Sequence, residues 1–349
     1  MRTPFTTRRA KRQQGFSLLE VMVGVAIGLI GIVVIFQVLQ VWEDRRRTTS
    51  SGSDAQIAGT LAMFSLEREV KQAGYGFGLS ADIGCTVYAN MLPRGQFNFP
   101  LVPVVITSGG GGAPDSLAVL YGSSNLFTAN LSFNVSADTT KRGPSRGGFA
   151  FGDQAILARD GAGNCAMVKV TGYPSPDDGA TLVHESVAAI TGTGTFGSGT
   201  MLNLGAAPQR NAWSIQGGRV LARSDNMRTP TVWAEVSEGI IDLRAQYGYD
   251  DDGNSQIECP NAAALCEWTA APLASPPLTL PITWSKVRAV RVALLARGQQ
   301  YEKDEVTAAL PTWTGGTFSD PVNADWKHYR YRVYEQVIPL RNTIWGTAK

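Results

Sequence analysis

The sequence is poor in the residues that build zinc centres and phosphate-binding loops. Its 349 residues include only two histidines, His184 and His328, and four cysteines that form no Cys-x-x-Cys pair. Zinc sites need such ligands in clusters. No lysine is followed by Ser or Thr, so the Gly-Lys-Ser/Thr sequence that ends a P-loop motif is absent too. These absences argue against zinc and P-loop enzymes, and we interpret both histidines as packing or surface residues.

Two glycine-rich segments match the residue patterns of enzyme motifs but lack the neighbouring secondary structure that those motifs require. Residues 143–147, Gly-Pro-Ser-Arg-Gly, satisfy the nucleophile-elbow formula without the strand and helix that an elbow requires. Residues 192–197 satisfy the dinucleotide-binding formula, but no helix start follows them. Both segments are therefore interpreted as turns, and we expect the protein not to be an enzyme.

Acidic residues are missing before Phe16, where five of the chain's basic residues lie. They are Arg2, Arg8, Arg9, Lys11 and Arg12. A chain beginning at Phe16 would change in formal charge from +2 to −3. Such a chain lacks the basic surplus of a general nucleic-acid binder, so no specific nucleic-acid partner is expected.

The composition favours a β-rich body. The chain contains 38 glycines and 18 prolines, and 44% of its residues are hydrophobic. Such a chain can bury a core, and its frequent turn formers indicate short strands joined by long loops.

The four cysteines form an even set, which is consistent with two disulfides in an oxidising compartment. Cys259 and Cys266 are separated by a short segment that can form a small loop, so we predict that they bond to each other. By elimination, Cys85 would bond to Cys165.

One apolar run, residues 21–36, is long enough with its apolar flanks to span a bilayer, which requires about 20 residues. The basic cluster before it favours a cytoplasmic N-terminus and a body outside the inner membrane. No Ala-x-Ala-like cleavage site follows the run, as an ordinary secretory signal would require. A plain signal anchor remains an alternative, but it leaves Glu20 unexplained.

Glu20 is an ionisable residue at the edge of this apolar run, where a carboxylate needs a partner. Cleavage between Gly15 and Phe16 would create an α-amino group that is such a cation. Glu20 would then be the fifth residue of the product, available to the amine of a neighbouring subunit.

Residues 11–20, Lys-Arg-Gln-Gln-Gly-Phe-Ser-Leu-Leu-Glu, resemble the class III leader of type IV prepilins and pseudopilins. The resemblance implies that a membrane aspartyl peptidase cuts after Gly15 and methylates Phe16. It also implies that Glu20 is the carboxylate that serves assembly.

Beyond the membrane, apolar and charged residues alternate with a helical period. Ile57, Leu61 and Phe64 fall on one side of the helix. The apolar residues that flank them are Ala55, Ala58, Ala62 and Leu66, and the charged residues between these positions are Asp54, Glu67, Arg68, Glu69 and Lys71. The pattern predicts an amphipathic continuation that packs one face on a sheet. Because Gly74, Gly76 and Gly78 follow, the helix should end near Ala73.

Four later segments resemble PilW-like minor pilins of type IV pili. Residues 65–75 resemble the end of that family's long helix, and residues 238–248, 287–297 and 329–342 resemble its C-terminal strands. The resemblance implies a minor pilin near the pilus tip that primes assembly with other minor pilins. Residues 79–230 match poorly and are assigned no task.

The expected fold is α+β, with a long N-terminal helix packed on antiparallel sheet. We divide the chain into a cleaved leader (1–15), a transmembrane helix (16–41), a periplasmic amphipathic helix (42–73) and a β-rich head with long insertions (74–349). The head would lie in the periplasm first and on the cell surface after assembly.

The resemblance implies a set of assembly partners: other minor pilins, the major pilin, the prepilin peptidase and the inner-membrane assembly platform, with a tip adhesin as a further candidate. Two other classes stay open. One is a minor pseudopilin of type II secretion, of the J type; the K type usually lacks the carboxylate that Glu20 supplies. The other is a signal-anchored periplasmic enzyme.

An acidic turn is the one candidate for a metal site. Asp250, Asp252 and Asn254 supply oxygen ligands of the kind that Ca²⁺ takes, although Gly253 is misplaced for an EF-hand loop. A solvated hairpin tip is the alternative interpretation, and no other cofactor is expected.

Overall fold

A computed structural model describes the chain from residue 15 to residue 344, with gaps. The described residues are 15–78, 80, 82–126, 130–134, 137–159, 163–174, 178–192, 194–250, 252–259, 266–270, 284–319 and 323–344, with the backbone alone at 44–45, 47–51 and 285. Most of the predicted leader, Asp251 and the loop between Cys259 and Cys266 lie outside these ranges.

The chain forms two compact units, residues 1–51 and residues 52–349. The described part of the first unit is helical from Leu18 onward, and α1 (Leu18–Val70) continues into the second. The second unit contains all of the strands in the described residues.

Helix α1 ends at Val70, three residues before the predicted end near Ala73. Two further amide groups, those of Gln72 and Ala73, bond back three residues, in the tighter pattern of a terminating helix. The amide of Gly74 then leaves the helical path and donates to the carbonyl oxygen of Leu120 at 2.9 Å, with φ at +80°. A left-handed backbone of this kind favours glycine, which explains the helix end.

The strands are short and follow one another closely along the head. In chain order they are β1 (Thr86–Met91), β2 (Gly95–Pro100), β3 (Val104–Thr107), β4 (Ser116–Tyr121), β5 (Leu131–Phe133), β6 (Thr140–Arg142), β7 (Gln154–Arg159), β8 (Asn164–Gly172), β9 (Thr181–His184), β10 (Gly199–Gly205), β11 (Gln209–Gln216), β12 (Val220–Asp225), β13 (Trp233–Glu238), β14 (Ile240–Tyr249), β15 (Trp268–Thr269), β16 (Val287–Arg297), β17 (Thr312–Trp313), β18 (Gly316–Thr317) and β19 (Tyr331–Pro339). The short helices are α2 (Val187–Thr191) and α3 (Arg341–Ile344), with 3-10 turns at Trp284–Lys286 and Trp326–His328.

Within the described residues these strands form three larger sheets and one small hairpin. The 8-stranded sheet follows the order β2-β1-β8-β7-β10-β5, with β9 joining β8 to β6. The 5-stranded sheet has the order β13-β12-β11-β4-β3, and the 4-stranded sheet has the order β15-β14-β16-β19. Strands β17 and β18 pair with each other.

One pairing departs from the expected antiparallel sheet. Strands β1 and β8 run parallel, with Thr86 opposite Asn164 and Val87 opposite Cys165. A parallel pair needs a long crossover, and the intervening strands supply it. The disulfide between Cys85 and Cys165 lies at the start of this pair.

The largest core cluster lies between the outer part of α1 and the 4- and 5-stranded sheets. Helix residues Leu66 and Val70 are completely buried there, together with Val119 of β4, Leu243 of β14 and Val292 of β16. Strands β14, β16 and β19 coincide with the three C-terminal segments from which strands are predicted. Two further clusters lie on the 8-stranded sheet, within residues 77–227 and 133–201.

Candidate functional site

The N-terminal residues of the described chain lie in the open. Gly15, Phe16 and Ser17 precede the helix, and 83% of the surface of Phe16 is exposed. The amide of Val21 donates to the carbonyl oxygen of Ser17 at 3.2 Å, so the helical hydrogen bonding begins there. Glu20 is an exposed acidic residue in the first turn, where the helix dipole favours negative charge.

Helix α1 begins with a segment that meets the length and composition needed to cross a bilayer. This segment, Leu18–Glu43, contains 26 residues, and every one of its side chains is exposed. Such a continuous apolar surface requires lipid or other apolar helices around it. The candidate cleavage site at Gly15 therefore immediately precedes the segment that needs this cover.

The outer part of α1 packs one face against the sheets of the head. Ile57, Leu61 and Phe64 remain 64%, 50% and 60% exposed. The buried face consists instead of Ala55, Ala62, Met63, Leu66 and Val70. The sequence predicts one face on a sheet without saying which, and the structure buries the face whose members include Ala55, Ala62 and Leu66. We call Ile57, Leu61 and Phe64 the exposed stripe.

Glu69 is the buried carboxylate of the helix, although its charge suggested the polar face. It is 5% exposed and accepts hydrogen bonds from Tyr121 Oη at 3.2 Å, from Trp213 Nε1 at 2.5 Å and from the amide nitrogen of Asn211. Hydrogen bonds to a charged group are each worth about 1.5–3 kcal/mol. Burial, followed by the charge of Glu69, raises the pKa of Tyr121. Glu69 thus fixes α1 against β4 and β11.

Backbone carbonyl groups of the helix bind side chains of the head. Ser237 Oγ donates to the carbonyl oxygen of Ala58 at 3.0 Å, and Tyr334 Oη donates to that of Gln56 at 3.0 Å. Gly59 allows the second contact, since a Cβ there would lie 2.0 Å from the Tyr334 ring.

The C-terminal end of α1 is capped from the other end of the chain. Asn342 donates its side-chain amide to the carbonyl oxygens of Gln72 at 3.1 Å and Ala73 at 3.0 Å. A Cβ at Gly78 would lie 2.3 Å from the carbonyl oxygen of Asn342. The two segments of the resemblance that include these residues, 65–75 and 329–342, therefore contact each other. Sequence reasoning missed Glu69, Gly59 and Asn342, although all but Gly59 lie within those segments.

The cysteines bond as Cys85–Cys165 and Cys259–Cys266, the pairing expected from the sequence. The first bond closes a separation of 80 residues and the second a separation of 7.

The acidic turn after β14 uses its carboxylates to hold itself together. Asp250 is buried and accepts the amides of Gly253 at 2.7 Å and Ser255 at 3.1 Å. Asp252 accepts the amide of Asn254 at 3.0 Å. The structure brings Asp250 and Asp252 together with Glu267, with ligand atoms within 4.8 Å of one another. The side-chain amide of Asn254 donates to Asp252 at 3.0 Å and to Glu258 at 2.6 Å. Calcium binding here stays a prediction.

The residues that fit enzyme motifs in the sequence, and the two histidines, lie in turns, at a helix end and in a strand. Ser145 Oγ accepts the amide of Gly147 at 2.9 Å in a turn, and Gly192 ends helix α2 with φ at +67°. His184 is buried in β9, and burial lowers its pKa. His328 lies in a 3-10 turn and stacks on Tyr301 with ring centres 4.8 Å apart.

Comparisons with known proteins match both ends of this arrangement. Residues 10–36 match the family described as the prokaryotic N-terminal methylation motif. Residues 214–342 match the family described as Type IV Pilus-assembly protein W. No curated protein sequence matches the chain. Among solved structures, a type IV-like pilin from Thermus thermophilus is similar at 9% identity and a TM-score of 0.32, covering 81% of this chain and 94% of that one.

The methylation motif, directly followed by an exposed apolar helix and a β-rich head, defines the class: a type IV pilin-like protein. The second match is narrower: residues 214–342, which include β14, β16 and β19, are similar to the Type IV Pilus-assembly protein W family, so the C-terminal part of the chain resembles PilW-like pilins. The methylation-motif match confirms the resemblance drawn from residues 11–20, and the Type IV Pilus-assembly protein W match confirms the resemblance drawn from the C-terminal strands.

Proposed function

We propose that this chain is a minor pilin, incorporated near the tip of a type IV pilus, where it primes assembly together with other minor pilins. The observation that carries the proposal is the position of the exposed Gly15–Phe16 bond directly before a fully exposed apolar helix. Cleavage there removes a basic leader and keeps the helix, whereas an ordinary secretory signal would be removed with its apolar segment.

The helix would hold the subunit in the inner membrane before assembly, with its N-terminus in the cytoplasm and its head in the periplasm. On assembly, neighbouring helices replace the lipid around Leu18–Glu43, through the van der Waals packing that joins apolar helices in a bilayer. The subunit then leaves the membrane as part of the fibre and reaches the cell surface.

Glu20 would give the assembly its register. Its carboxylate pairs with the methylated α-amino group of Phe16 in a neighbouring subunit, and a charge pair in a low-dielectric bundle favours one axial position over others. The prepilin peptidase and the inner-membrane platform are the partners that precede this step. Other minor pilins, the major pilin and a tip adhesin are the partners within the fibre.

The exposed stripe supports the same proposal from the head. Ile57, Leu61 and Phe64 lie on the helix and remain half exposed or more after the head has folded. Exposed apolar residues grouped on one face are typical of protein interaction surfaces. We assign the stripe to contact with a neighbouring subunit in the fibre.

A deletion experiment tests the proposal. Cells lacking the gene should form few pili, and restoring the full chain should restore them. In sheared pili the chain should be recovered at a small fraction of the amount of the major pilin. If pili form normally and protein secretion fails instead, the chain is a pseudopilin of the J type; if neither changes, the assembly role is wrong.

A further inference from the structure

His184 is a buried histidine of β9, and only one of its two ring nitrogens has a hydrogen-bond partner. The residue is 2% exposed, and its Nδ1 lies 2.7 Å from the carbonyl oxygen of Glu185. A carbonyl oxygen can only accept a hydrogen bond, so Nδ1 carries the proton of a neutral ring and Nε2 is bare. Among the residues that the structure describes, nothing bonds to Nε2, although this atom is buried too. The folded head therefore holds the imidazole in its neutral form.

A buried lysine lies on the same face of the same pair of strands. Strand β6 pairs with β9, and the amide of His184 donates to the carbonyl oxygen of Thr139 at 2.8 Å. Residues two apart on a strand share a face, so Lys141 lies diagonally from His184, within reach of a long side chain. Lys141 is completely buried, and its Nζ donates to the carbonyl oxygens of Ala137 at 2.6 Å and Phe196 at 2.8 Å.

The other charged groups around the imidazole are engaged elsewhere or exposed. Asp138, in the loop before β6, accepts the amide of Ala188 at 2.8 Å with its Oδ1, at the start of α2. On the other side of β9, Glu185 and Lys169 of β8 are exposed, and Glu185 Oε2 accepts the Lys169 amide at 3.3 Å. Helix α2 contains no charged residue. Within the described part of the chain, Lys141 forms no ion pair with any of these carboxylates.

Protonation of the ring is costly in this position. It would add a buried N–H donor that has no acceptor, and it would place a second positive charge near Lys141. Burial is the main cause that holds the pKa of His184 below its usual range, and the Lys141 ammonium acts in the same direction. The hydrogen bond with Glu185 and the charge of Asp138 oppose this lowering of the pKa.

We propose that His184 is a pH switch, and that its protonation releases β9 and α2 from β6 and β8. An imidazolium gains hydrogen-bond partners on both nitrogens only by reaching water, and that movement breaks the contacts of β9. Leu182, Val187 and Ile190 belong to a core cluster of the 8-stranded sheet and are buried with the ring. The middle region of the head would thus cover this apolar surface at neutral pH and expose it in acid.

Acid favours the open form for a simple reason. A histidine exposed to water has a pKa of about 6.5, and the pKa of His184 is lower in the folded head, so the open form binds more protons. The stability of the closed form is therefore complete above about pH 7 and falls as the pH drops through about 6.5. For one histidine that stays neutral in the closed form, the opening constant rises about tenfold between pH 7.5 and pH 5.5.

Hydrogen exchange of the full chain in a neutral detergent measures this opening, after correction for the intrinsic pH dependence of exchange. Residues 181–192 should open about tenfold more often at pH 5.5 than at pH 7.5. Residues 287–297 of β16 contain no histidine and serve as the internal reference, which should not change.

Two variants separate the switch from general effects of acid. His184→Asn keeps an N–H donor near the place of Nδ1 and does not titrate in this range, so its residues 181–192 should open equally at both pH values. His328→Asn is the matched control, because it removes the other histidine of the chain and should keep the wild-type response. It also leaves His184 as the only histidine, so the ring signals in its NMR spectrum report the protonation of His184 alone.

Three results in hydrogen exchange would overturn the proposal. They are no acid-driven rise in residues 181–192 of the wild type, an equal rise in residues 287–297, and an undiminished rise in His184→Asn. If His184→Asn does not fold, the NMR titration of His328→Asn decides. Protonation of His184 together with loss of protection in residues 181–192 supports the switch, and protonation near pH 6.5 with protection intact overturns it.

Discussion

At the scale of single residues, Glu20 is the residue whose position most requires a functional explanation. A charged group in an apolar span is costly, by about 2.5–3.5 kcal/mol at a helix centre on insertion scales, so a carboxylate at its edge needs a use. Replacing it by alanine makes the helix easier to hold in lipid and removes the partner of a neighbouring Phe16 amine. We expect Glu20→Ala to be cleaved and inserted normally but to accumulate in the membrane fraction.

The assay compares the amount of chain in sheared pili with the amount in the membrane for the wild type, Glu20→Ala and Glu20→Asp. Aspartate keeps the charge on a side chain one methylene shorter, so its defect should be the smaller. Incorporation of Glu20→Ala at the wild-type ratio would show that the carboxylate has no assembly role.

The acidic turn makes a second prediction at this scale. Asp250 and Asp252 place carboxylate oxygens near Glu267, within reach of one cation. We expect Ca²⁺ to bind there with a dissociation constant of about 10⁻⁴–10⁻³ M, the range of extracellular modules. Titration calorimetry of the full chain measures this dissociation constant. The variant Asp252→Asn removes one of the carboxylates and should reduce the heat of binding. If no heat of binding is measured at millimolar calcium, the turn is not a calcium site, and the alternative interpretation as a hydrogen-bonded hairpin turn remains.

At the scale of elements, helix α1 offers a matched pair of leucines. Leu66 is completely buried and Leu61 is 50% exposed. Leu66→Ala should cost about 2–5 kcal/mol of unfolding free energy, because it leaves a cavity in the core. Leu61→Ala should stay within about 0.5 kcal/mol, as surface substitutions do, but should reduce incorporation into pili. Denaturant unfolding and pilus shearing measure the two effects.

The reverse order of these two stability losses would mean that the helix packs by its other face. A loss of stability without any effect of Leu61→Ala on incorporation would remove the exposed stripe from the assembly surface.

The helix itself follows from its sequence, but its orientation does not. The apolar run before Glu43 and the glycines after Val70 predict its extent to within a few residues. Periodicity alone offers two apolar faces, one with Leu61 and one with Leu66, and does not say which one the sheet covers. The choice depends on long-range contacts, such as those of Glu69 with Asn211 and Trp213, that no local pattern contains.

The strands divide in a similar way. Alternation and the family resemblance predict β14, β16 and β19, whose pairing is regular over most of their length. Strands β1 to β13 occupy the middle of the chain, where glycine-rich turns give no signal for partners far apart in sequence. The parallel pairing of β1 with β8 is one example.

At the scale of the whole molecule, the two disulfides differ in what they close. In the chain-entropy model, a cross-link over 80 residues is worth about 4.5 kcal/mol and one over 7 residues about 2.4 kcal/mol. Replacing Cys85 and Cys165 by alanine should therefore destabilise the head more than replacing Cys259 and Cys266. Denaturant unfolding compares the two variants, and peptide mapping without reductant checks the pairing. Equal losses of unfolding free energy in the two variants would contradict the expected difference between the disulfides. A bond from Cys259 to Cys85 or Cys165 would contradict the pairing.

The N-terminal mass of the chain recovered from sheared pili tests the central claim most directly. The claim is that cleavage before an apolar helix produces a subunit that leaves the membrane within a fibre. The account predicts an N-terminal peptide that begins at Phe16 and is one methyl group heavier than the unmodified sequence. Recovery in peptidase-competent cells of a chain that still begins at Met1, or its absence from pili, would contradict the account.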